Sequence, residues 1–178
     1  MNARRRLLAL GASAALVLSA LPAAAGVPTP YGARVVQPTG APERYEFDLT
    51  AALREARASH KRLYVYLGAT DCPFCRKYEA FLDKNAAELV PHFQKDWIVV
   101  DLRSRLSVQS DKLYFRTGMR SLPYGDFMRA IGDERARQLV YPSVWLFDAD
   151  AKPLMQMPAG TGTFETVPEQ LEILRLEQ

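Results

Sequence analysis

Cys72 and Cys75 are the only cysteines of the chain, and they flank Pro73 and Phe74 just after the apolar run Leu63-Tyr64-Val65-Tyr66-Leu67. A strand that runs into a helix beginning at the first cysteine sets that thiol at the helix N-terminus. Free backbone N–H groups and the helix dipole there favour the thiolate, the reactive form in thiol–disulfide exchange. Pro73 suits the first helical turn, where its missing N–H costs no hydrogen bond. Phe74 offers the sulfur neither a proton donor nor a charge. Arg76 and Lys77 favour a thiolate at Cys72 and Asp71 disfavours it. These opposing influences of similar range predict an intermediate reduction potential.

Two other uses of a C-x-x-C pair fit less well. A structural staple across two residues closes a very short loop, and short loops yield the least stabilisation. A zinc site needs more ligands, yet there is no second C-x-x-C and no H-x-x-x-H, and His60 and His92 stand alone. No metal and no bound cofactor are assigned.

The surrounding pattern says what positions the pair. Asp48 or Thr50 can cap a helix running to about Ser59. The run 63–67 lacks strict alternation and reads as a strand buried on both faces. Tyr78, Phe81 and Leu82 continue the line of Cys75 at helical spacing, which predicts a helix with Cys75 buried and Cys72 exposed. A further helix is expected over Ala86 to Phe93, and a second central strand over Trp97 to Leu102. Residues 103–139 read as loop and short helices. Tyr141-Pro142 precedes two strands, Ser143 to Phe147 and Leu154 to Met157, joined by a polar turn as a hairpin. Thr166 and Pro168 open a terminal helix.

The N-terminus has the form of a secretory signal, with basic Arg4-Arg5-Arg6, an apolar stretch from Leu7 to Leu21, and small residues at Ala23-Ala24-Ala25. General secretion is favoured over the twin-arginine route, and the processed chain is expected not to span a membrane. Removing residues 1–25 lowers Lys+Arg from 23 to 20, equal to the 20 Asp+Glu, so the net charge of +3 belongs to the signal. Nucleic-acid binding is therefore not indicated. Residues 26–44, rich in Pro and Gly, are expected to form a flexible lead-in, and 45–178 one domain.

A strand, a C-P-F-C opening a helix, Tyr141-Pro142 heading a hairpin and a terminal helix together resemble the thioredoxin superfamily over about residues 45–178. The C-P-x-C form is similar to bacterial periplasmic disulfide oxidoreductases and glutaredoxins, and the export signal favours the periplasmic branch. The resemblance implies an α/β, thioredoxin-like fold with a central mixed β-sheet flanked by helices, and a largely helical insertion, about 103–139, before the hairpin. It implies that Pro142 is a cis-proline beside the cysteines, and that the backbone of Tyr141 pairs with a substrate peptide. Three features depart from the family pattern. Asp71 replaces the tryptophan before the first cysteine, Tyr66 stands where a buried acid is usual, and 70 residues separate Cys72 from Pro142.

The resulting expectation is a periplasmic thiol:disulfide oxidoreductase acting on protein thiols and disulfides, with Cys72 as nucleophile, Cys75 resolving, and a membrane redox partner. A second reading is a redox-inactive binding module with a permanent disulfide that holds a partner through the 103–139 insertion. A third is delivery of thiols to a metal or haem pathway. Basic and aromatic residues interleave between Lys112 and Arg129; they either pack the insertion onto the domain or form a partner surface.

Overall fold

The computed structural model describes residues 26–41, 43–132, 138–157 and 165–175. The expected signal, residues 1–25, lies outside them, as do Pro42 and Ala136. Within them, the apolar run at 63–67 belongs to an eight-residue strand, β3 (Arg62–Ala69), in which every residue from Leu63 onward is buried. Before it come β1 (Arg34–Val36), β2 (Tyr45–Asp48) and α1 (Thr50–Ser59). After it come α2 (Pro73–Lys84), α3 (Ala86–Asp96), β4 (Trp97–Ser104), β5 (Leu113–Thr117), β6 (Arg120–Pro123), α4 (Tyr124–Met128), β7 (Ser143–Phe147), β8 (Pro153–Met157) and α5 (Val167–Leu174).

Five strands form a central mixed sheet in the order β1-β4-β3-β7-β8. β1, β4 and β3 run parallel, whereas β7 is antiparallel to β3 and β8 to β7. Parallel pairing of β3 with β4 needs a long crossover, which α2 and α3 supply. Alternate residues of the central strands serve opposite faces. Leu63, Val65 and Leu67 join Val100, Leu102, Trp145 and Phe147 in one core. Tyr64 and Tyr66 join Val99, Val144 and Leu146 in the other, under Tyr78, Leu82, Phe93 and Leu174 from the helices. Both faces are apolar because both are covered, so the sequence shows no polar alternation.

A second sheet corrects the expectation of a largely helical insertion. β2, β5 and β6 pair in that order, with β2 parallel and β6 antiparallel to β5. The helical content of 103–132 is the five-residue α4 and two single turns at Ser110–Lys112 and Arg129–Ile131. The physical reason is period-two burial: Leu113 and Phe115 are buried while Tyr114 and Arg116 are half-exposed. The Phe115 ring lies 5.6 Å from that of Trp145 and 5.1 Å from that of Phe127, so the second sheet packs on the first through aromatic contacts.

Residues 26–41 also differ from the flexible lead-in that their composition predicts. β1 is the edge strand of the central sheet, and Tyr31 is buried with its hydroxyl donating to the Leu82 carbonyl at 2.8 Å. The Val27 N–H donates to the Asp101 carboxylate at 2.8 Å. Buried hydrogen bonds, not propensity, hold this segment in place.

Glu46 ties the second sheet together. Its buried carboxylate accepts from Arg44 at 2.8 Å, from the Arg116 Nε at 2.6 Å, and from the Ser121 hydroxyl. The Ser121 hydroxyl first, and then the two guanidinium groups, hold its pKa down at about 2. A depressed carboxylate contributes stability above its unfolded pKa, and that contribution is lost as pH falls from about 4.5 to about 2. Glu46→Gln is expected to lower stability near neutral pH by about 1–3 kcal/mol and to flatten the acid limb of the stability curve. Urea melts of both proteins across that pH range measure it, and parallel curves for the two would refute the assignment.

Candidate functional site

The chain leaves β3 at Ala69 and turns through Thr70 and Asp71 into α2. Cys72 is the N-cap of that helix, and its Sγ accepts the Cys75 backbone N–H at 3.1 Å. Pro73 takes the first helical position, as its locked φ allows. Cys72 and Cys75 form a disulfide with their Cα atoms 5.2 Å apart. The Ala69 N–H points at the Cys75 Sγ from 3.5 Å. A backbone donor therefore approaches each sulfur.

Strand register gathers the rest of the site. Ala69 at the end of β3 lies opposite Ser104 at the end of β4, and Leu67 lies opposite Ser143 at the start of β7. The Tyr141–Pro142 peptide bond immediately before β7 is cis. Tyr141 packs on the small cluster of Ala69, Cys72 and Cys75. Its hydroxyl lies 3.0 Å from the Ser104 hydroxyl and donates to the Val108 carbonyl at 3.2 Å. Burial, with the nearby Asp71 charge as a lesser cause, pushes the Tyr141 phenol up to about 12, so it stays protonated as a hydrogen-bond donor. Residues 70 apart in sequence thus meet at one end of the sheet.

Two sequence expectations change here. Cys72 is expected to be exposed, yet only 2% of its surface is accessible, against 0% for Cys75. The adjoining Phe74 is 58% exposed instead. The flanking charges also have other partners. Arg76 donates to the Ala69 carbonyl at 3.2 Å and pairs with Glu79 at 2.9 Å. Lys77 pairs with Glu165 at 2.6 Å, and Asp71 accepts the Leu106 N–H at 3.0 Å. Asp71 therefore fastens the cysteine turn to the loop after β4.

On the α2 side of the sheet lies a polar group that sequence reasoning missed. The Tyr66 hydroxyl donates to Glu79 at 2.9 Å, and Glu79 also accepts from Arg76 at 2.9 Å. The Tyr66 ring occupies the space over Gly68, where an added Cβ would come within 2.7 Å of it. Burial first, and then the Glu79 charge, raises the Tyr66 phenol far above its ordinary value, so Tyr66 cannot serve as a base. Asp101 lies opposite Tyr66 on β4, fully buried, and pairs with Arg103 at 2.7 Å. Both acids leave a sequence signal: Glu79 falls on the apolar stripe that begins at Cys75, and Asp101 interrupts the run Trp97 to Leu102.

Among the described residues no three His, Cys, Asp or Glu side chains converge as metal ligands, and no helix is long and apolar enough to cross a membrane. No protein-family model and no curated protein matches the chain. The coarse class is therefore what fold and site define: a mixed α/β protein with two mixed sheets and a C-x-x-C disulfide at a helix N-terminus.

Burial raises the Asp101 carboxyl to about 6, opposed by Arg103 and by the Val27 N–H. Between about pH 4 and 6 the folded state holds a proton that the unfolded state has lost, so this group makes stability fall as pH rises through that window. The expected size is about 2–3 kcal/mol. Carboxyl-carbon NMR is expected to show Asp101 titrating near pH 6, and Asp101→Asn to remove that part of the stability slope. A midpoint at or below 4 would overturn the assignment.

Proposed function

We propose that the chain is an exported, thioredoxin-like thiol:disulfide oxidoreductase that exchanges disulfides with protein clients through Cys72 and Cys75. The carrying observation is the Cys72–Cys75 disulfide at the N-terminus of α2, where the Cys75 N–H meets the Cys72 Sγ. The cis Tyr141–Pro142 bond beside it and the mixed sheet with helices on both faces support the thioredoxin-like reading.

In the oxidising direction a client thiolate attacks the Cys72 Sγ, the Cys72–Cys75 bond breaks, and Cys75 leaves as a thiolate facing the Ala69 N–H. A second client thiolate then attacks the client sulfur of the mixed disulfide, and Cys72 leaves. The client loses two electrons and two protons and the cysteine pair gains them. In the reducing direction the Cys72 thiolate attacks a client disulfide, and Cys75 resolves the same intermediate. The helix N-terminus lowers the cost of the Cys72 thiolate in both. No bound cofactor takes part in either sequence. The N-terminal residues 1–25 support a periplasmic location and recycling by a membrane redox partner.

One observation favours the second reading, a redox-inactive binding module. Both cysteines are buried, so a client thiolate reaches Cys72 only when side chains around it part.

The purified protein is expected either to reduce insulin or to oxidise a reduced, unfolded client, and Cys72→Ser to abolish that activity. Cys75→Ser is expected to accumulate the mixed disulfide, visible as an added client mass that reductant removes. Absence of both activities, together with a disulfide too reducing to equilibrate with glutathione, would establish the binding module instead.

A further inference from the structure

We infer that a groove beside the disulfide receives the flank of a client polypeptide and selects for an acidic residue near the client's reacting cysteine. This inference rests on the exchange reaction proposed above and adds the class of client. The groove has a volume of about 510 Å³ and is lined by Val35, Tyr45, Thr70, Arg103, Ser104 and Arg105, among others. It opens where the central sheet, through β1 and the end of β4, approaches the second sheet at β2.

Its position ties it to the cysteines. Thr70 lies two residues before Cys72, and its N–H donates to the Ser104 carbonyl at 3.2 Å. Ser104 also contacts the hydroxyl of Tyr141, which packs on the cluster of Ala69 and the two cysteines. Ser104 is thus a wall of the groove on one side and part of the disulfide site on the other. A polypeptide whose cysteine reaches Cys72 can lay its neighbouring residues in this groove.

The lining states the chemistry of the occupant. Val35 is 55% exposed on the edge strand and, with Tyr45, gives an apolar patch. Among the described residues, the charged members of the lining are Arg103 and Arg105, and no carboxylate lines the groove. Arg103 is largely committed to Asp101, with its side chain 16% exposed. Arg105 is exposed and has no ion-pair partner among the described residues. Arg105 is therefore the charge that reads the client. Complementarity of this kind acts on encounter and selection more than on bulk affinity.

The test compares two dithiol peptides that differ only in the residues flanking one cysteine, acidic in one and lysine in the other. Each is oxidised by the purified disulfide protein, with dithiothreitol as a small dithiol that cannot fill the groove. The acidic peptide is expected to react about fivefold faster than the basic one, the scale that a single exposed charge pair supports. The ratio is expected to shrink toward one as salt is raised, to fall in Arg105→Ala and to invert in Arg105→Glu. A wild-type ratio near one, or a ratio that survives Arg105→Glu, overturns the groove assignment while dithiothreitol oxidation leaves the exchange reaction standing. Failure of the wild-type protein to oxidise dithiothreitol and both peptides overturns the exchange reaction itself.

Discussion

Burial of β3 on both faces is the constraint on which the remaining architecture depends. A strand covered on both sides leaves only its ends open, and in this sheet the C-terminal end of β3 is where the backbone changes direction. β4 runs parallel to β3 and β7 antiparallel to it, so the end of β4 and the start of β7 reach the same edge. The register then dictates which residues meet there: Ala69 with Ser104, and Leu67 with Ser143. In open α/β sheets this edge is where ligands bind. The disulfide, the cis Tyr141–Pro142 bond and the groove all sit along it.

The polar residues behind that edge are placed as sparingly as burial requires. Each buried polar group left without a partner costs about 1–3 kcal/mol, and the α2-side core holds several. Tyr78 donates to the Gln170 carbonyl oxygen at 2.8 Å, Tyr66 donates to Glu79, and Glu79 is neutralised by Arg76. Arg76 in turn holds the Ala69 carbonyl, the same residue whose N–H meets Cys75. The position of the disulfide is therefore coupled to the packing of Tyr66. Gly68 is required for that packing because any side chain there meets the Tyr66 ring.

Much of this was legible in the chain because strong local patterns agreed with the tertiary contacts. β3, α2, the β7–β8 hairpin and the Thr166 cap of α5 follow from apolar runs and cap residues, and Thr166 forms a full capping box with Glu169, whereas α1 has the expected extent but its N-cap is Leu49 with no side-chain cap bond, not Asp48 or Thr50. The second sheet was not legible for a physical reason. β2 spans four residues and β5 five; β2 pairs only with β5, about 70 residues away, and β5 otherwise pairs with the equally short β6. Alternation in Tyr45-Glu46-Phe47-Asp48 and Leu113-Tyr114-Phe115-Arg116 is present, but windows that short do not separate strand from loop. The interleaved basic and aromatic residues divide the same way. Phe115, Tyr124, Phe127 and Met128 are core, Arg116 and Lys112 pair with Glu46 and Glu43, and Met119 is fully exposed.

The sequence alone assigns the redox balance of Cys72-Pro73-Phe74-Cys75 to its neighbouring charges, and the structure moves the cause elsewhere. Arg76 and Lys77 are paired with Glu79 and Glu165, whereas Asp71 is held by the Leu106 N–H and keeps its charge near Tyr141, so the neighbouring charges do not act as a simple opposed set. Two further influences act on the sulfurs, and they oppose each other. The N-terminus of α2 supplies the Cys75 N–H and the positive end of the helix dipole, which favour a thiolate. Burial of both cysteines removes water and disfavours it. Phe74 contributes to neither, because its ring points outward and is more than half exposed. The thiolate balance of the pair is thus set by a helix terminus against desolvation.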